Sequence, residues 1–397
     1  MTTVFKTIIS RSPSTILSQL AHLKNNFYRH SLFFTVSPPS SSDDISAIVD
    51  ALNNLSEESV GCISSPAPSI TCSLAFMNKS TSTLFRSTIP GRARIQVGRW
   101  HSYALKDEKH MDQFPAWGSN IDWGEIWNQN ERFSGALPKE LKSSTMNPNQ
   151  ILYLSDPSPE GLISSLCSTF PSSHQLGLLA SSTPFITGRP VTLFHNGKVF
   201  ETGAVGVAIS SPNSQQTVDL HLPEDVKPLG EEMLVTRAEG NLITTLNNSN
   251  PTRLLLRAIE TAGIDASSEG AILFKEQEEF YLGVPDSQIH TITSGDISRG
   301  TMALNTTRAP GVGSKVQFYH RSKSTSHREQ PLRSSKQLSV SFRVAKPEPE
   351  LEDHIKDPII LDNVFYTNSE NGFVVARGFG EVPWTCTVPG CVASLRV

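Results

Sequence analysis

The sequence predicts an α/β (α+β) fold of two lobes, with mixed β-sheets flanked by outer helices. Three observations predict it. First, one β-α-β unit is written twice. Its first copy runs from the apolar Ser31 to Val36, through Ser37-Pro38-Pro39 and a helical pattern at Asp43 to Leu55, to a run ending Gly61-Cys62-Ile63-Ser64-Ser65-Pro66. Its second copy runs from Ile151 to Leu154, through Ser155-Asp156-Pro157 and a helical stretch at Pro159 to Thr169, to Gly177-Leu178-Leu179-Ala180-Ser181-Ser182. Second, 397 residues are too many for one ordinary core. Third, the second half holds short alternating runs between turn residues, with one well-capped helix among them. A repeat places equivalent loops at equivalent sheet edges, and open sheets bind ligands beyond their strand ends.

Taken in order, residues 1–30 form an N-terminal segment with no Asp or Glu, carrying Lys6, Arg11, Lys24 and Arg29. Its mixture of apolar, Ser/Thr and basic positions resembles a mitochondrial presequence, so a mitochondrial location is expected, with the cytoplasm as the alternative. The other reading is an ordinary first helix from Ser14 to Leu23 packed on the domain. A first lobe follows over residues 31–212. After the first repeat copy, Ser69 to Phe76 alternates as a strand should, and Pro90-Gly91 marks a turn before a strand at Arg94 to Val97. From His101 to Gln150 periodicity collapses around Trp117, Trp123 and Trp127. Long loops of this kind are functional or disordered, and tryptophan argues against disorder; a lid over the core edge is the plainer reading. Past the second copy, Asn196-Gly197 between alternating runs demands a type I′ hairpin turn.

Residues 213–216 read as a linker into a second lobe over residues 217–397. A hairpin is expected over Met233 to Leu246, turning at Glu239-Gly240-Asn241. Asn250 at N-cap and Pro251 at N1 open a helix that runs to Thr261 before Gly263. Further strands are expected at Ala271 to Phe274, Glu279 to Gly283, Thr301 to Leu304 and Lys315 to Tyr319. Residues 321–357 read as a flexible charged insertion, basic first and acidic after, in which Leu338 to Val344 alone has strand character. The chain closes with Val374 to Gly380, Glu381 and a strand near Val392 to Val397.

Composition removes whole classes of function. A net charge of -4 argues against nucleic acid as a partner, because phosphate binding needs a basic surface. No apolar run approaches the roughly twenty residues of a transmembrane helix. Five scattered cysteines suit buried thiols in a reducing compartment better than a disulfide framework. Cys62 and Ser64 sit at a strand end, but no Gly-x-Ser-x-Gly motif or placed His and Asp accompanies them, so no catalytic residue is assigned. Cys386 and Cys391 lack two further ligands at zinc spacing, and no metal or cofactor is expected.

With these pieces laid out, the chain resembles a FIST protein with both N-terminal and C-terminal FIST regions, of a fungal-like type without an F-box. The resemblance rests on Ser31 to Val36, Val60 to Ser65, Ser73 to Phe76, Gly177 to Ser181, the Asn-Gly hairpin and Gly203 to Ala208. In the second half it rests on Pro228-Leu229-Gly230, Val235-Thr236, Gly240 to Ile243, Gly313 to Phe318 and Gly380-Glu381. About thirty residues before the first repeat are too few for an F-box. The resemblance implies a sensory module for small ligands, amino acids among them, and in an animal relative the region recruits substrates for ubiquitin ligation.

The expected function is therefore non-enzymatic binding of a small polar metabolite in a cleft where the repeat-equivalent loops converge. Gly61 and Gly177 would allow close backbone approach, Ser64, Ser65, Ser181 and Ser182 would donate hydrogen bonds, Arg92 would hold a carboxylate and Glu381 an amine. The alternative is a protein-interaction adaptor that docks a protein partner through Trp117, Trp123 and Trp127.

Overall fold

Period-two alternation in the repeated strands decides which side chains face inward. Phe33 and Leu152 point to one side of their strands, and the next residues, Phe34 and Tyr153, point to the other; all four are fully buried, so both faces of each sheet are covered. A computed structural model describes residues 3–38, 45–89, 137–143, 146–211, 218–264, 278–296, 298, 300–306, 308–322, 334–346, 357–378 and 380–397. The expected strands at Arg94 to Val97 and Ala271 to Phe274, the tryptophan segment and most of the charged insertion lie outside the described residues.

In chain order the first half gives β1 (Val4–Ser10), α1 (Pro13–Phe27), β2 (Ser31–Ser37), α2 (Ile45–Asn53), β3 (Glu58–Ile63), β4 (Ile70–Met77) and β5 (Ser82–Ser87). It continues with α3 (Lys139–Ser143), β6 (Gln150–Ser155), α4 (Glu160–Thr169), β7 (His174–Leu179), α5 (Pro184–Thr187), β8 (Leu193–His195), β9 (Lys198–Phe200) and β10 (Ala204–Ile209). The second half gives β11 (Val218–His221), β12 (Val226–Glu239), β13 (Leu242–Leu246), α6 (Pro251–Thr261), β14 (Glu278–Val284), β15 (Gln288–Asp296), β16 (Thr301–Leu304) and β17 (Lys315–Ser322). It ends with β18 (Ser339–Val344), β19 (Ile359–Asp362), β20 (Val364–Ser369), β21 (Phe373–Ala376), β22 (Trp384–Cys386) and β23 (Val392–Arg396).

Two sheets carry the repeat. One runs β19-β1-β4-β2-β3-β8-β9, the other β22-β21-β7-β6-β10-β5. In each, a parallel pair from one β-α-β unit (β2 with β3, β6 with β7) is flanked by antiparallel neighbours. Their inner faces share one core, in which Phe33, Val60 and Cys62 of the first sheet join Leu152, Leu178 and Val207 of the second. Helices α1 and α2 cover the outer face of the first sheet through Ile16, Leu20, Ile48 and Leu52. Helices α3 and α4 cover the second through Leu141, Leu162 and Leu166. The layers are helix, sheet, sheet, helix, an α+β arrangement with mixed sheets and outer helices as the alternation predicts.

The two copies match in detail at their glycines. Phe34 lies beside Gly61 on the neighbouring parallel strand, and Tyr153 lies beside Gly177. A Cβ on Gly61 would stand 2.6 Å from the Phe34 ring, and one on Gly177 would stand 2.1 Å from the Tyr153 ring. Each glycine therefore makes room for its own aromatic neighbour. The expectation that Gly61 and Gly177 admit a ligand is corrected: protein rings fill that space.

The sheets do not respect a division at residues 213–216. From the far end of the chain, β19 joins the first sheet beside β1, while β21 and β22 complete the second beside β7. A third sheet, β11-β23-β18-β20, lays β20 against the first. There Thr7 Oγ1 donates to Val364 O at 2.8 Å and accepts from Tyr366 N at 3.1 Å, and Ser73 Oγ donates to Tyr366 O. Strands β12-β13-β16-β15-β14-β17 close into a barrel whose core includes Leu255 and Ile259 of α6. Asn250 caps that helix, accepting from Arg253 N at 3.1 Å, as its sequence predicts. Arg321, 8% exposed, ties the barrel to the third sheet's connection, pairing with Asp225 at 3.1 Å and donating to Pro389 O at 2.6 Å.

The basic N-terminus is structural in its own right. β1 is paired on both sides, and Phe5, Ile8, Ile16 and Leu20 are buried. At about 1.5–3 kcal/mol for each such side chain, these four contribute on the scale of a domain's whole stability of about 5–15 kcal/mol. Deleting residues 1–27 is expected to abolish the cooperative thermal transition followed by circular dichroism. Gly177→Ala is expected to cost about 3 kcal/mol in chemical denaturation, in the range for overpacking a core. The loss should shrink in a Tyr153→Ala background, because the two changes meet at one contact.

Candidate functional site

Where β3 and β7 leave the core, the two units finish alike. Ser64 N donates to Val36 O at 2.9 Å, and Ala180 N donates to Ser155 O at 2.7 Å, extending each parallel pair by one bond. The next residues are Ser65 and Ser181. Their hydroxyl oxygens stand 3.3 Å apart, so the two tips touch. Ser37 Oγ donates to Ser65 O at 2.6 Å and fixes the first tip from β2. The side chain of Asn371 donates to Ala180 O at 2.7 Å and fixes the second.

Both tips converge on one carboxylate that the sequence does not single out, that of Glu370. It stands in the turn Ser369-Glu370-Asn371-Gly372 between β20 and β21. Ser65 Oγ donates to Glu370 Oε2 at 2.5 Å and accepts from Glu370 N at 3.0 Å. Ser182 N donates to Glu370 Oε1 at 2.6 Å. Ser181 Oγ also lies 3.2 Å from Ser369 Oγ, so Ser65, Ser181, Ser369 and Glu370 form a connected polar network. Ser65, Ser181 and Ser369 are buried, whereas Ser182 and Glu370 reach solvent.

The electrostatics favour an ionised Glu370. Burial pushes its carboxyl up, but the hydroxyl of Ser65, the N–H groups of Ser182 and Glu370 and the hydroxyl of Ser181 outweigh that and hold it below its ordinary value of 4.5. A carboxylate has about four acceptor positions; the direct hydrogen bonds from Ser65 Oγ and Ser182 N take one on each oxygen, and the side chain itself reaches solvent. Cys62 lies beneath. Burial, with the Glu370 charge adding to it, pushes its thiol far above the usual range, so it is a neutral packing group and not a nucleophile.

The remaining expected site residues fall elsewhere. Ser64 is buried and bonds through its backbone. Glu381 is not at the tips. It pairs with Arg377 at 2.8 Å, next to Ala376, which is opposite Gln175 near the start of β7; Ser181 lies beyond the other end of that strand. The amine-binding role given to Glu381 is therefore corrected: its carboxylate is spent on Arg377, which also bonds Val218 O and Ser287. Arg92, Trp117, Trp123 and Trp127 lie outside the described residues. Among the described residues no group of three His, Cys, Asp or Glu side chains is placed to hold a metal, and no helix is long and apolar enough to cross a membrane.

The one sequence signal for Glu370 is the polar run Asn368-Ser-Glu-Asn-Gly372 between two apolar stretches, a turn signature. It locates a turn without saying what the turn meets. Compared with known proteins, the chain matches the family model of the FIST N domain over residues 32–249, more than half its length. That match spans both repeat copies and continues through β13, past the expected linker. No curated protein and no solved structure matches the chain.

Because Glu370 has a depressed folded value, its contribution to stability is fully present above the unfolded value and is lost as pH falls through the folded one. Urea denaturation across a pH series should show wild type more stable than Glu370→Gln at neutral pH. The gap should narrow steadily below about pH 4.5, the ordinary value of the group.

Proposed function

The chain belongs to the FIST N domain family, and from that premise we propose that it is a non-enzymatic sensor that binds a small polar metabolite carrying an amine, an amino acid among the candidates. FIST domains are associated with signal transduction and the sensing of small ligands. The observation that carries the reading is the meeting of Ser65 from one repeat unit and Ser182 from the other on the two oxygens of Glu370.

Three properties support an amine ligand there. Glu370 is held as an anion while partly open to solvent, so an ammonium can add a charge-assisted hydrogen bond without the network rearranging. The flanking serines are locked by Ser37, Ser369 and Asn371, which keeps the ordering cost of binding low. Phe185, three residues beyond Ser182, is fully exposed and offers apolar surface for the rest of a ligand. A mitochondrial location is proposed from the acid-free, basic N-terminus, to be tested by imaging the full-length chain.

A thermal-shift screen of amino acids and simple amines tests the ligand reading. At least one should raise the melting temperature of the wild-type chain. Glu370→Gln should remove that shift, and Glu381→Gln should leave it in place on a less stable background. A ligand that stabilises both variants equally would place binding elsewhere.

A further inference from the structure

Beyond Ser182 the second repeat unit carries a small loop that the first lacks. After Ser65 the chain crosses only Pro66-Ala67-Pro68-Ser69 before entering β4 at Ile70. After Ser182 it makes a closed excursion, Thr183 to Arg189, whose two ends pair as a β-bridge. The short helix α5 inside it has no fully buried residue. Phe185 on that helix is 100% exposed, whereas the next most exposed large apolar side chain among the described residues, Val312, is 67% exposed.

The loop is nonetheless braced. Thr183 N donates to Pro190 O at 3.0 Å, and Thr183 Oγ1 donates to Arg189 O at 3.0 Å. The hydroxyls of Thr183 and Thr187 each lie 2.7 Å from that of Thr192, and Thr183 and Thr192 are buried. Ile186 anchors the loop against the outer core of the first sheet. A single exposed apolar side chain needs no explanation, but a fixed loop that holds a ring wholly in solvent is different. The order it already keeps lowers the cost of docking a partner.

The charge beside the loop says which partner fits. Ser182, which holds Glu370, is three residues before Phe185, so their Cα atoms lie within about 11 Å of each other. Ser65 Oγ and Ser182 N each take one position on one Glu370 oxygen, and the carboxylate stays ionised while reaching solvent. A guanidinium presents a planar fork that addresses both oxygens of a carboxylate, and its face stacks on aromatic rings. An ammonium is a compact point charge without a planar face. The exposed Pro66, Pro68, Pro184 and Pro190 add rigid apolar surface to the segments that leave the two tips.

We propose that this surface docks a protein segment, with an arginine of the partner on Glu370 and the arginine's apolar neighbours over Phe185. The inference rests on Glu370 as the receiver of a positive charge, and it adds a macromolecular partner to that reading. A small amine is satisfied by Glu370 alone, whereas burying a whole aromatic ring takes a chain with apolar surface of its own.

The experiment selects a displayed library of random peptides on the full-length chain and measures the enriched peptides, resynthesised, by isothermal titration. Selection should enrich arginine next to an apolar residue. Phe185→Ser, Glu370→Gln and replacement of the peptide arginine by citrulline should each weaken binding about tenfold or more, the scale of one charge-assisted hydrogen bond or one interface anchor. Phe185 is wholly exposed, so Phe185→Ser should leave the melting temperature of the chain where it was. The proposal is overturned if no peptide is enriched, if the enriched peptides lack arginine, or if Phe185→Ser or Glu370→Gln leaves their affinity unchanged. Free L-arginine binding as tightly as the peptides would overturn it too, while leaving the metabolite reading in place. Peptides that depend on both residues, with no small amine shifting the melting temperature, would remove the metabolite reading and leave the docking surface standing.

Discussion

Everything in the first half follows from one contact made twice: an aromatic ring set against the bare backbone of a glycine on the adjoining parallel strand. Phe34 over Gly61 and Tyr153 over Gly177 hold the two strands of each β-α-β unit in a single register. A slip of one residue would turn every side chain to the opposite face, and both faces here are buried. With register fixed, Ser65 and Ser181 each stand four residues past their glycine, so the two tips stop at corresponding points and can touch. The polar network is thus a consequence of packing in the outer layers, although none of its members lies there.

A second constraint comes from the end of the chain. The two repeat units are alike but not complete, since each sheet takes strands from after residue 357. β20 lies on β1 and β4 by backbone hydrogen bonds to Thr7 and Ser73, which places the following turn above both tips. The buried hydroxyls of Thr7 and Ser73 are therefore paired with a strand more than 290 residues away in sequence, as the separations of 357 and 293 show. Hydroxyls without those partners would carry the cost of unsatisfied burial. This pairing gives the turn its position with little freedom.

Much of this was legible in the chain and some was not, for physical reasons. The repeat, the I′ turn at Asn196-Gly197, with φ of 48° and 74°, and the cap at Asn250 depend on local chemistry that each segment carries by itself. β1 is hidden because its mixed apolar, hydroxyl and basic residues do not announce a strand; it becomes one only by pairing with β4 and β19, which lie far along the chain from it. Gly61 and Gly177 look like openings in the sequence because a glycine there does not reveal what occupies the place of its missing side chain. Glu370 was illegible because its partner Ser65 is 305 residues away. Glu381, an equally plausible carboxylate by position, belongs to Arg377.

The position of Glu370 also limits what the matched family region does alone. Residues 32–249 contain Ser65, Ser181 and Ser182 but not the carboxylate on which they converge. In this chain the site is completed by a segment that enters after the barrel, between two strands that join different sheets. On the proposed reading, a ligand charge on Glu370 would act on the turn joining β20 to β21, strands that belong to the third sheet and the second. Two arginines continue the connection into the barrel: Arg321 of β17 donates to Pro389 O just before β23, and Arg377 just after β21 donates to Ser287 between β14 and β15. If the chain senses as proposed, the packing provides this route: the carboxylate lies between the repeats, and the strands that carry it lead away from them.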